Sequence, residues 1–228
     1  MDAPKTGKIG FFLLGAILAA TTALFVLGWL AEEVLESETG QFDAVVRTAI
    51  HARASPAVTT LMQGFSWLGS PGVLVAVSLL ALTAFLYFHR PRVAVVLAVG
   101  VTGSAGLDLV LKHAFHRPRP VPFFGASPSS YSFPSGHALG ALCVYGVLAL
   151  ILSARTPRWA TRLCIWVVAG LLVGMIGVSR IYLGVHYPSD VVAGYCAAVV
   201  WVGAVAFLDK VLSTRRAGDP NGSQAYPH

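Results

Sequence analysis

Three short polar clusters break an otherwise apolar chain, and their residue types suit the binding and cleavage of a phosphate ester. The first runs from Lys112 through His113, His116 and Arg117 to Arg119-Pro120. The second is Pro134-Ser135-Gly136-His137, and the third joins Ser179-Arg180 to His186 and Asp190. Arginine offers a planar fork that matches phosphate oxygens in pairs, and lysine adds a compact point charge. Lys112, Arg119 and Arg180 would repel one another without an anion to share. Each taken singly is equally well read as an interfacial cation whose stem lies along apolar surface. Ser135 reads as a helix N-cap, with Gly136 and His137 in the first turn. Free backbone N–H groups and the helix dipole make such a start an anion cradle, and Gly136 lets the backbone approach closely. His186 precedes Tyr187-Pro188, so Asp190 falls in the first turn of the next helix. Its carboxylate can fold back to accept the Nδ1–H of His186, leaving Nε2 as a nucleophile. Alone, Asp190 is also explained by the dipole at a helix start.

These groups sit on hydrophobic scaffolding. The chain has 228 residues, of which 56% are hydrophobic and only 11% charged. A soluble domain carries about 25% charged residues, and the mean hydropathy here is +0.71. A membrane-crossing helix takes about 20 apolar residues. Six runs qualify as candidates: 9–31, 72–88, 93–111, 136–153, 159–178 and 191–208. Backbone polar groups in lipid must be satisfied within the segment, so helices are expected rather than strands. The predicted fold is an all-α bundle of six transmembrane helices forming a single domain over 1–228, with a disordered tail at 217–228.

Lys and Arg in the connections orient this bundle. Lys5, Lys8, Arg90, Arg92, Arg155, Arg158, Arg162, Lys210, Arg215 and Arg216 fall on one side. The other side holds Arg47, Arg53, Lys112, Arg117, Arg119 and Arg180, of which Lys112, Arg119 and Arg180 are the candidate anion-binding cations. Both termini are therefore expected in the cytoplasm of a multi-pass inner-membrane protein, with all three clusters opening on the outer face. The net charge of +6 reports topology, and no basic stretch interleaved with aromatics points to nucleic acid. The apolar run after Lys8 exceeds the 7–15 residues of a signal-peptide core, so an uncleaved first helix is expected. Cys143, Cys164 and Cys196 lie in predicted helices and form no disulfide framework. In the connection at 32–71, Phe42, Val45, Val46, Ala49 and Ile50 follow helical spacing, as do Val58, Leu61, Met62 and Phe65. Two short amphipathic helices at the membrane surface fit this pattern. They either cap the bundle or flank a lateral entrance for a lipid.

Lys112 with Arg119-Pro120, then Pro134-Ser135-Gly136-His137, then Ser179-Arg180 with His186 and Asp190 resembles the three-part signature of the type-2 phosphatidic acid phosphatase superfamily. That superfamily shares its core with vanadium-dependent haloperoxidases. The resemblance implies that His186 is the nucleophile of a phosphohistidine intermediate, oriented by Asp190, and that His137 is the general acid. It also implies that Lys112, Arg119, Arg180, Ser135 and Gly136 bind the phosphoryl oxygens and that neither metal nor cofactor is required. Undecaprenyl pyrophosphate, phosphatidic acid, phosphatidylglycerol phosphate and lipid A phosphates are the substrates it suggests, held as lipids in the bilayer.

Three other readings compete. His113, His116, His137, His186 and Asp190 could ligate a metal, although Lys112, Arg117, Arg119 and Arg180 would oppose a dication. A non-catalytic carrier of anionic lipid would need the cations but no oriented histidine. A lipid-to-lipid phosphotransferase would use the same residues with a hydroxyl in place of water. Asp108, His113 and His116 receive no role from sequence alone.

Overall fold

The computed structural model describes residues 5–126 and 128–217, with side chains described for 14–126 and 128–212. The tail predicted at 217–228 thus lies, beyond Ala217, outside the described residues. Every regular element among them is helical: α1 (Lys5–Leu35), α2 (Gly40–His51), α3 (Pro56–Leu68), α4 (Pro71–Tyr87) and α5 (Pro91–Phe115), then α6 (Gly136–Ala141), α7 (Val147–Ala154), α8 (Trp159–Tyr182) and α9 (Pro188–Ala217). A wide π turn at Leu142–Gly146 joins α6 to α7.

Proline sets several of the helix starts. Pro56, Pro71 and Pro91 occupy first-turn positions, where a missing N–H costs nothing. Ser55 adds a true cap, its side chain accepting from Val58 N. His116 closes α5 in the left-handed region, and Pro118 and Pro120 keep the chain extended beyond it.

Five helical stretches are long and apolar enough to cross a membrane, and a sixth if α3 and α4, bent by 50°, count as one. The second predicted span, 72–88, is α4, which has 17 residues. Three boundaries move outward relative to the sequence reading. Lys112 does not end its helix but lies in the last turn of α5. Arg180 lies inside the last turn of α8. α9 begins at Pro188, ahead of the apolar run at 191 and where an Asp190 in the first turn requires it. Hydropathy misses these turns because the polar residues that serve the site extend each helix beyond its apolar stretch.

α9 is the central post and packs on α1, α5, α6 and α8. On α6, Leu139 packs against the fully buried Ala197 and Ala198 of α9, and a Cβ on Gly194 of α9 would lie 2.7 Å from Ser135 O and 3.1 Å from Ala138 Cβ. Small side chains permit this close approach, which dispersion rather than the hydrophobic effect rewards inside lipid. On α5, Gly103 leaves the notch that Trp201 fills: a Cβ there would fall 1.9 Å from the indole. Trp201 Nε1 donates to Gly100 O at 3.0 Å.

Outward faces are apolar throughout. Phe25, Leu80, Leu109 and Leu171 are exposed, whereas Asp43, Ser132, His186 and Asp190 are buried. That inversion is stable only where the surrounding medium is hydrocarbon. The chain is a multi-pass membrane protein. The predicted apolar stripe of α2 divides accordingly: Phe42 and Val45 face outward, while Asp43, Val46 and Ile50 turn towards the bundle.

Candidate active site

The third cluster is built by the turn between α8 and α9. Gly184 adopts φ +77°, and a Cβ there would strike the backbone N of Phe123 at 2.5 Å, so glycine alone allows both the turn and the close approach. Val185 and His186 then pass under the loop, and Tyr187 caps α9. Asp190 Oδ2 reaches back to accept the Tyr187 backbone N–H at 2.8 Å, as an acidic residue does in the third position of a capping box. The same oxygen lies 3.4 Å from His186 Nδ1 and accepts a 2.5 Å bond from Ser132 Oγ.

On the opposite edge of the ring, Arg119 Nη1 lies 2.9 Å from His186 Nε2. A guanidinium can only donate. The contact therefore marks Nε2 as the nitrogen with the free lone pair and leaves the proton on Nδ1, towards Asp190. Burial lowers the His186 pKa to about 4; Arg119 and Arg180 add to the fall, and Asp190 opposes it. At neutral pH the ring is an uncharged imidazole with its lone pair directed at an arginine, the form a nucleophile requires.

Arg119 is itself held on three sides, by Ser130 O at 2.7 Å, Ser130 Oγ at 2.9 Å and Val185 O at 2.8 Å. Arg180 donates to Ser66 Oγ of α3, and its buried Nε has no partner among the described residues. Lys112 pairs with Asp108, one turn back on α5, at 2.7 Å. Ser135 occupies the N-cap of α6, but its side chain makes no capping bond. Its Oγ is buried without a partner among the described residues. Gly136 faces Asp108 so closely that a Cβ would lie 2.9 Å from both carboxylate oxygens.

One cavity of about 350 Å³ collects these groups. Lys112, Arg119, Gly136, His137, Arg180 and His186 line it together with Asp108. Leu74 and Val75 of α4, Val101 and Ala105 of α5, and Leu139 and Val144 of the α6 span continue it as an apolar arm. Both imidazoles thus face one space. Ser135 is the exception among the predicted phosphate ligands, since it does not line the cavity. His113 takes Leu109 O at 2.8 Å, and His113 and His116 pack their rings on Tyr131. No group of three or more His, Cys, Asp or Glu side chains converges as a metal site among the described residues.

Three residues in the site escaped the sequence reading. Ser132 is the tightest partner of Asp190, and no spacing rule singles out a serine two residues before Pro134. Arg117 counts as a topology cation in the sequence, yet it pairs with Asp190 at 2.6 Å and with Asp43 at 2.7 Å. Asp43 did leave a signal: it shares the helical face of Val46 and Ile50 at i+3 and i+7, where a solvated carboxylate does not belong.

The PAP2 superfamily model matches residues 93–210. Phosphatidylglycerophosphatase B of Bacillus subtilis is 31% identical over 176 residues, covering 76% of this chain and 86% of that protein. Undecaprenyl-diphosphatase BcrC of the same organism is 32% identical over 134 residues, covering 56% of this chain and 64% of that one. Among solved structures, the transmembrane PAP2-type phosphatidylglycerolphosphate phosphatase of B. subtilis superposes with a TM-score of 0.76 at 26% identity, over 85% of this chain and 96% of its own. LpxE of Aquifex aeolicus superposes with a TM-score of 0.57 at 25% identity, over 72% and 94%.

Proposed function

The chain belongs to the PAP2 superfamily and is a phosphatase; from that premise we propose that it hydrolyses the phosphomonoester or pyrophosphate of a membrane lipid at the outer membrane face. The observation that carries this is the cavity in which a neutral His186, His137 and three cations share space with an apolar arm. A head group fits the polar end, and the first carbons of a lipid chain fit between Leu74, Val101 and Val144. Undecaprenyl pyrophosphate, phosphatidic acid and phosphatidylglycerol phosphate all meet that description.

The chemistry proceeds in two displacements. Phosphoryl oxygens draw Arg119 off the His186 lone pair and join Lys112, Arg180 and the Gly136 backbone N–H. His186 Nε2 attacks phosphorus, the phosphorus–oxygen bond to the lipid breaks, and His137 protonates the leaving oxygen. Asp190 holds the Nδ1 proton and balances the positive ring. Water, deprotonated by His137, then attacks the phosphohistidine, releasing inorganic phosphate and restoring both imidazoles. Positioning and charge stabilisation supply most of the rate, as in phosphoryl transfer generally.

The test is phosphate release by purified protein in mixed micelles containing EDTA, measured on those three lipids and on a soluble phosphate ester. Lipid turnover is expected with EDTA present, and His186→Ala should abolish it. Preference for the soluble ester would refute the lipid assignment, and activity surviving in His186→Ala would refute the nucleophile.

A further inference from the structure

We infer that Arg117, clamped between Asp190 and Asp43, is a positioning residue that fixes the carboxylate behind His186 and makes α2 part of the catalytic frame. The inference rests on the proposed role of His186 as nucleophile and adds residues that the three motifs do not contain.

The two oxygens of Asp190 have separate duties. Oδ2 serves Ser132, the Tyr187 N–H and His186, whereas Oδ1 is held by Arg117 Nη1 at 2.6 Å. Rotation of the carboxylate about its Cβ–Cγ bond is therefore resisted from the Oδ1 side by Arg117. The guanidinium is in turn immobile. Nη2 donates to Asp43 Oδ2 at 2.7 Å and to Thr39 Oγ1 at 2.8 Å, and Nη1 also donates to Ser189 Oγ at 2.8 Å. Its face lies on the Tyr187 ring, 4.1 Å from the centroid. Asp43 closes the circuit by accepting Ser189 N at 3.0 Å and Ser189 Oγ at 2.7 Å. One planar fork thus bridges two carboxylates that are both about 1% exposed or less, a geometry that a lysine point charge cannot reproduce. Thr39 and Asp43 bring the end of the α1–α2 connection and the first turn of α2 into this circuit.

A purely structural ion network and a positioning network make different predictions. Removing Arg117 alone leaves two buried carboxylates without their cation, which destabilises on either account. The double change Arg117→Gln with Asp43→Asn removes one charge of each sign and keeps the net charge of the circuit. We expect it to fold with a thermal midpoint below wild type but above that of Arg117→Gln alone, while kcat on phosphatidic acid falls about 10²-fold, the scale of a small misplacement of a reacting group. KM should stay within about twofold of wild type, because none of the phosphate-binding side chains has been touched. Arg117→Lys retains the cation but can serve only one carboxylate, so its kcat should fall about tenfold in folded protein.

A folded double variant with wild-type kcat would overturn the inference, as would a loss confined to KM. If the double variant does not fold, Arg117→Lys decides the matter alone, and wild-type kcat in that variant overturns the inference. Failure of the nucleophile assignment has its own signature, namely phosphate release that His186→Ala leaves intact, and that result would overturn both.

Discussion

Two carboxylates flank the candidate site, and they are held in opposite ways. Asp190, on the histidine side, is wholly buried and hydrogen-bonds through both oxygens, to Ser132, Tyr187 N, His186 and Arg117. Asp108, on the cradle side, pairs through Oδ2 with Lys112, while its buried Oδ1 has no partner among the described residues. Ser135 Oγ and Arg180 Nε, near it, are likewise without partners among the described residues. The histidine wall is a closed network whose geometry is set before anything binds. On the cradle wall Arg180 Nε is a donor that an anion's oxygen can use, whereas Asp108 Oδ1 can only accept and Ser135 does not line the cavity. Preorganisation thus falls where a tautomer must be defined, and open valence falls where charge arrives.

Asp190→Asn should break this contrast most sharply. The amide can still meet Arg117, but it no longer demands the proton on Nδ1, so kcat should fall by about 10²–10⁴-fold. A fall of less than threefold in phosphate release would mean that the closed wall does not orient His186.

The pH profile offers a second, smaller effect. The folded-state pKa of His186 is lowered to about 4 by burial, against an ordinary value near 6.5. The neutral ring therefore persists well below neutrality, and the acid limb it imposes on kcat/KM should lie near pH 4, with roughly tenfold loss per pH unit below that. The same shift lends stability that is complete above about pH 6.5 and is lost as pH falls from there towards 4. An acid limb near 6.5 would indicate that His186 is more solvated than its burial suggests.

The smallest expected effects come from paired serines, one in each wall. Ser132→Ala strips a donor from a buried carboxylate and should cost about 1–3 kcal/mol of stability by thermal melting. Ser135→Ala removes a hydroxyl that has no partner among the described residues and should leave the melting point unchanged. If Ser135 turns towards phosphate when substrate binds, KM rises several-fold; an unchanged KM removes it from the cradle.

Much of this site is legible in one dimension because its motif residues are clustered. Lys112 and Arg119 share one helix end and its proline-stiffened exit, Ser135 to His137 share a helix start, and His186 and Asp190 share a single turn. Short spacing lets capping geometry be read from the letters, and the fold-back of Asp190 follows from Pro188 opening the helix. Arg117 is different. Its partner Asp43 is 74 positions away, and a lone cation in a connection looks the same whether it marks topology or pins a carboxylate. The orientation of the α2 stripe was likewise not legible. In a membrane the apolar residues Phe42 and Val45 belong outside, so the apolar positions alone do not reveal which face meets the bundle.

Hydrophobic length and three short motifs were enough to specify a helical membrane bundle and to name most of the residues that share one cavity in it, since each depends on neighbours within a few turns. Only the folded chain decided which carboxylate is satisfied and which is left open, and that a surface helix contributes Asp43 to the frame behind His186. Those outcomes depend on which distant groups exclude water together, and burial is a property of the assembled molecule rather than of any stretch of letters.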